Sequence, residues 1–323
     1  MIVGQHRAVA QFSAAWRSGA LHHAWLLAGA KGVGKATFAR EAATRVLADA
    51  AGPAVKAPDL ATPEDHRIAR LVEAGSHPDL RWLERQPKEK GEGLARNVTV
   101  SQVRSLGDLF ELTPALSPWR AVVIDSIDDL EKSAANALLK MLEEPPANCL
   151  FLLVSHAPGR LLPTIRSRCR RLDFQALSDD AMTSILARRL PELKDSQRQR
   201  IVEVAGGSAG RAIALAELDL VALEEAAMRI LREGDPTNGR RSDLALELGK
   251  RGAAERYAAF LEILPSIIAR EAREMAGSRR LRAVDAYART RELTDIAPRL
   301  SLDPASTVFQ LGGILASVAD PVP

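Results

Sequence analysis

The stretch GAKGVGKAT, Gly29 to Thr37, restricts what this chain can fold into more than any other. It satisfies G-x-x-x-x-G-K at Gly29, Gly34 and Lys35 and directly follows an apolar run, HAWLLAG, from His23 to Gly29. Behind it Ala39, Ala42, Ala43, Val46 and Leu47 recur at helical spacing. A buried strand, a glycine loop and a helix in that order make a phosphate-binding unit. Glycines let the backbone come close to a phosphate chain, the helix start offers free N–H groups, and a lysine supplies charge. Two more apolar strands are expected at RAVVID, Arg120 to Asp125, and CLFLLVS, Cys149 to Ser155. Between them Ala134, Ala137, Leu138, Met141 and Leu142 share one helical face, and Pro145-Pro146 stops that helix. Strands that alternate with helices predict a parallel sheet with helices on its faces.

With 323 residues the chain has room for two or three cores. Strand signals stop near Leu177, and everything beyond reads as helix, with breaks at Pro191, Gly206-Gly207 and Pro236, and with Pro265 kinking a later helix. The expected division is an α/β phosphate-loop domain over 1–175, a small helical domain over 176–218 and an all-α domain over 219–323. Residues from about 50 to 97 read as a polar insertion, with RQPKEKGEG as a mobile hairpin, and NVTVSQVRSLGDLFEL reads as a short strand entering a helix. Trp82 and Trp119 are expected in or beside the core, and His22-His23 at the edge of the first strand.

A formal net charge of +3 is too small for a chain coated by nucleic acid. Two cysteines, Cys149 and Cys169, exclude a disulfide framework and a four-cysteine zinc site, and the six histidines share no metal-ligand spacing. No metal, and zinc in particular, is expected. No apolar run approaches a membrane span, so a cytoplasmic chain without membrane contact is the expectation.

The loop departs from a hydrolytic site in two places. Ala36 stands where a hydroxyl would hold magnesium, and Thr37, one residue on, is rotated by about 100° around the helix. Asp125 ends its strand well placed to orient a metal or its waters, but Ser126 follows it where a second carboxylate would align the attacking water. Asp128, Asp129 and Glu131 are expected to decorate the start of the next helix. Gly29, Lys31, Gly32, Gly34, Lys35, Ala36, Thr37 and Asp125 therefore form a candidate nucleotide site at which turnover is not expected. ATP or ADP is compatible with it, and so is a loop that only keeps its shape.

PTIRSRCRR places Arg166, Arg168, Arg170 and Arg171 just after a strand and a Pro163 turn. One reading is a solvated basic edge. The other is an arginine finger, a guanidinium offered to the γ-phosphate on a neighbouring subunit.

HAWLLAGAKGVGKATFA, GSHPDL, NALLKMLEEPP, LLPTIRSRC and GSAGRA stand in the order and spacing of bacterial clamp-loader subunits. The chain resembles that AAA+ family over about Val3 to Arg211, most closely its DNA polymerase III delta-prime type. The resemblance implies an AAA+-like domain, a helical lid and a C-terminal collar domain in a hetero-oligomeric ring. Its implied partners are the tau/gamma motors and the delta subunit, with primed DNA and the sliding clamp reached through the complex. It implies that Arg168 of the S-R-C triplet is the finger, acting in trans, and that the chain itself does not hydrolyse ATP. Ala36 and Ser126 separate it from the motors, whose zinc-binding cysteines are also missing here. Arg211 in GSAGRA is a candidate lid sensor, although the arginine of the motors follows the G-S pair more closely. The competing expectations are an ATP-hydrolysing motor subunit and a DNA-binding phosphate-loop protein that uses IRSRCRR and the arginine-rich segment around Arg270 to Leu293.

Overall fold

A computed structural model describes residues 2–88 and 94–320. The chain divides into two compact units, Met1–Arg188 with Gly206–Gly210, and Arg189–Ala205 with Arg211–Pro323.

The first unit is built on a five-stranded, fully parallel sheet. Its elements run α1 (His6–Arg17), β1 (Ala24–Ala28), α2 (Lys35–Ala51), α3 (Arg67–Glu73), β2 (Leu80–Glu84), α4 (Val100–Arg104), α5 (Leu106–Glu111), β3 (Arg120–Asp125), α6 (Lys132–Glu143), β4 (Cys149–Ser155), α7 (Pro163–Arg166), β5 (Arg170–Asp173) and α8 (Asp179–Arg189). The strand order is β2-β3-β4-β1-β5, which leaves β1, β3 and β4 in the middle. Both faces of those three strands are covered, so nearly every residue in them is buried. Phe12, Phe38, Val46 and Leu47 of α1 and α2 pack on Trp25, Leu27, Val123 and Leu152 on one face. Val103, Leu106, Leu138 and Leu142 of α4, α5 and α6 pack on Leu26, Ile124, Phe151 and Leu153 on the other.

The central strands and α2 stand where the sequence pattern puts them, and His22 flanks β1 by accepting the Ala24 N–H on Nδ1 at 3.2 Å. The polar insertion needs correcting. Residues 50–97 contain a helix, α3, and the edge strand β2, which pairs with β3 from Leu80↔Ala121 to Glu84↔Asp125. The hairpin reading falls partly on residues 89–93, outside the described residues; at its base Pro87 bridges Leu94. The strand expected at Asn97–Val100 reduces to one bridge between Val98 and Leu130. Trp82 and Trp119 both pack against the core while partly exposed.

The GSHPDL turn is an anchor. The Asp79 carboxylate is buried and accepts three consecutive backbone N–H groups, from Ala115 at 2.7 Å, Leu116 at 2.8 Å and Ser117 at 3.1 Å. The loop that delivers β3 is tied to the start of β2 in this way.

The second unit is helical: α9 (Asp195–Ala205), most of α10 (Ala209–Glu217), α11 (Leu220–Glu233), α12 (Gly239–Leu248), α13 (Ala254–Glu274), α14 (Gly277–Leu300) and α15 (Pro304–Ala316). Pro265 lies inside α13. The buried Glu224 carboxylate accepts from both Arg200 and Arg270 at 2.5 Å, so two cations share one desolvated acid. No described helix is long and apolar enough to cross a membrane.

Candidate functional site

The loop leaves β1 at Ala28 and enters α2 at Lys35, and Gly29, Gly32 and Gly34 take positive φ to make the turns. Gly29 has no room for a side chain, because a Cβ there would run into the Phe174 carbonyl. Gly32 is pressed the same way against Ser208 and Gly210. Ser208 Oγ donates to the Lys31 carbonyl at 3.0 Å, and the Gly210 N–H donates to the Gly32 carbonyl at 3.0 Å.

Lys35 is buried, and its ammonium turns back on its own loop, donating to the Gly29 carbonyl at 2.7 Å and the Ala30 carbonyl at 2.5 Å. Burial pushes its pKa down to about 8, against the pull of Asp125 and Asp128. Four successive loop carbonyls, Gly29 to Gly32, are thus satisfied by groups of the chain. Ala36 and Thr37 form the first turn of α2, Ala36 half-buried and Thr37 exposed, as the rotation between neighbours on a helix requires.

Parallel pairing brings the acidic residues to the same end of the sheet. Ala28 stands opposite Ser155, and Asp125 opposite Val154. Burial, with Glu84 nearby, raises the Asp125 carboxyl above its ordinary range, while Lys35 partly offsets this. Ser126 is buried and its Oγ donates to Asp129 at 3.2 Å, and Asp129 also pairs with Arg85 at 3.3 Å.

Asp128 and Asp129 do not decorate the next helix; with Ile127 they form a short 3-10 turn that precedes it. Asp128 holds the end of β4, accepting from Ser155 Oγ at 2.9 Å and from the backbone N–H groups of His156 at 2.6 Å and Ala157 at 3.2 Å. Glu131 alone sits at the helix start, in the N-cap position of α6.

Arg168 lies at the other end of the sheet. It precedes β5, whose Arg170 stands opposite Trp25, whereas the phosphate loop follows Ala28. The five residues of β1, roughly 16 Å of strand, separate the two levels. The Arg168 side chain is 34% exposed; it donates to the Thr164 carbonyl at 2.9 Å and pairs with Glu143 at 2.7 Å. Its neighbours are engaged elsewhere, Arg171 with Asp173 at 2.6 Å and Arg170 over the Trp25 ring at 5.0 Å.

A family profile described as "DNA polymerase III, delta subunit" matches residues 4–178, more than half of the chain. The chain belongs to this family. It is 34% identical over 186 residues to the DNA polymerase III subunit delta' of Pseudomonas aeruginosa, an alignment covering 58% of this chain and 53% of that protein. Identity to the subunit delta' of Bacillus subtilis is 36% over 163 residues, 50% of this chain and 45% of that one. The chain thus spans about half the length of the curated relatives it matches. A gamma subunit-related protein from Thermotoga maritima superposes with a TM-score of 0.47 at 15% identity, over 96% of this chain and 98% of that one.

In this member of the family Gly29, Lys31, Gly32, Gly34, Lys35, Ala36 and Thr37 form one continuous loop and helix start, and Asp125 joins them at the same sheet end. Arg168 does not, and Arg211 lies half-buried in α10 within the second unit. Sequence reasoning put Asp128 at the next helix and not at the end of β4, and it missed the contacts of Ser208 and Gly210 with the loop. Their partners lie 27 to 178 residues away, and no periodicity marks them.

Proposed function

We propose that the chain is a non-hydrolysing subunit of a clamp loader, completing a hetero-oligomeric ring and supplying Arg168 to an ATP site on a neighbouring subunit. One observation carries the reading: Arg168 and the phosphate loop lie at opposite ends of the same parallel sheet. An arginine so placed serves a phosphate on another molecule and not the one its own loop would hold. The expected partners are the tau/gamma motors and the delta subunit, with the sliding clamp and primed DNA engaged through the complex.

The loop itself supports a structural role. Its lysine is spent on loop carbonyls, Ala36 offers no hydroxyl for magnesium, and Ser126 offers no carboxylate to align water. On this reading the loop's contacts with the chain hold its shape and nucleotide is not needed for it. The purified chain is therefore expected to release no phosphate from ATP, with or without DNA. Lys35→Met is expected to leave the ATPase of the reconstituted ring within about twofold of wild type. A motor would instead lose its turnover with that lysine.

A direct reading comes from the Lys35 side chain. Its NMR titration midpoint is expected at about 8, and a triphosphate seated in the loop would add negative charge beside the ammonium and raise it. A midpoint unmoved by excess magnesium-ATP supports the structural role, and an upward shift identifies a nucleotide site.

The independent DNA-binding reading is weakened by the acidic partners among the arginine segments. In IRSRCRR, Arg168 and Arg171 pair with Glu143 and Asp173, and in the second segment Arg270, Arg282 and Arg289 pair with Glu224, Asp320 and Asp285, which offsets part of the positive charge such binding needs.

A further inference from the structure

Arg168 is held from two directions. The bond to the Thr164 carbonyl is local, four residues back along the chain. The bond to Glu143 is tertiary and comes from the last residue of α6. A guanidinium carries five N–H donors in one rigid plane, so fixing two of its nitrogens on different elements fixes the whole fork and leaves other donors unused.

The place of Glu143 in its own helix does not explain it. A carboxylate in the last turn of a helix faces the negative end of the dipole, where a cation is favoured. Its ion pair adds little to the fold either. The two side chains are 34% and 47% exposed, and a pair so open to water is weak. What the contact does is orient. Glu143 precedes β4 as Arg168 precedes β5, so both stand at the sheet end away from the phosphate loop.

We infer that Glu143 is the positioning residue for Arg168, presetting the guanidinium so that its remaining donors meet the γ-phosphate of a nucleotide on another subunit. This rests on the reading of Arg168 as a finger in trans. The contact is a hold and not a lock, weak enough for the arginine to adjust when a phosphate arrives.

The test uses the ring reconstituted with tau/gamma and delta, carrying Glu143→Ala, Glu143→Gln, Arg168→Ala or the double alanine variant. Glu143→Ala is expected to lower kcat for DNA-stimulated hydrolysis at the neighbouring site about fivefold at unchanged KM for ATP, the factor that the upper range for an exposed pair gives. Glu143→Gln is expected within about twofold of wild type, because the amide oxygen still accepts the bond. The double variant is expected to match Arg168→Ala, and Glu143→Ala to leave the thermal midpoint of the isolated chain unchanged. If Arg168→Ala itself costs nothing, the finger reading fails, whatever Glu143 does. If Arg168→Ala costs turnover while Glu143→Ala matches or exceeds wild type, the positioning role is overturned. So it is if Glu143→Ala deepens the loss of the Arg168 variant, or if Glu143→Gln lowers kcat as far as Glu143→Ala.

Discussion

Arg168→Ala is expected to abolish the contribution of one ATP site in the assembled ring while leaving assembly intact. The side chain is one-third exposed and its one ion pair is open to water, so removing it costs the fold little. The phosphate it would meet is a different matter. An arginine finger accelerates phosphoryl transfer by about 10³ to 10⁵ where it completes a site. Steady-state ATPase should fall to the share of the sites that lack this neighbour, and further if the sites fire in sequence. Single-turnover hydrolysis on a preloaded ring should lose one kinetic phase. Arg168→Lys is expected to recover little, because an ammonium is a point charge and cannot supply two parallel bonds to a phosphoryl group. Gel filtration with tau/gamma and delta checks assembly. Unchanged DNA-stimulated ATPase in an intact ring would return the SRC arginine to the status of a solvated basic edge.

The same geometry explains which parts of the molecule could be read in advance. β1, β3 and β4 are covered on both faces, so their sequences are unbroken apolar runs that announce themselves. The two edge strands carry no such mark. β2 buries only Leu83 and β5 only Leu172; β2 is a five-residue mix of apolar and charged residues, and β5 is mostly charged. The phosphate loop was legible because its chemistry is contiguous: glycine spacing, lysine, and the alanine that replaces a hydroxyl sit within nine residues. What surrounds it was not. Ser208 reaches Lys31 across 177 positions, and Asp128 reaches Ser155 across 27. Such contacts depend on the strand order β2-β3-β4-β1-β5, which periodicity does not encode. The placement of Arg168 at the far end of the sheet belongs to the same class. SRC singled out the residue by resemblance, and the register of β5 against β1 places it away from its own loop.

The largest loss of stability is expected from Asp79→Ala. Asp79 is buried, and its two carboxylate oxygens take the N–H groups of Ala115, Leu116 and Ser117. Hydrogen bonds to a charged group contribute about 1.5–3 kcal/mol each, but three on one carboxylate do not add in full. Ala115 is exposed and Leu116 is half-buried, so water can recover part of the loss there; Ser117 is buried, and its N–H would be left without a partner. A net cost of about 3 kcal/mol follows, or roughly 6–12 °C in the thermal midpoint of a unit this size. Asp79→Asn keeps one acceptor oxygen and should fall between the alanine variant and wild type. The check is chemical denaturation of the isolated chain, where the midpoint should drop while the slope stays constant. An unmoved midpoint would mean that water replaces the carboxylate, and that the loop before β3 is held by the packing of Leu116 and Trp119, by Arg120 and by the backbone pairing of Ala121 with Asp79.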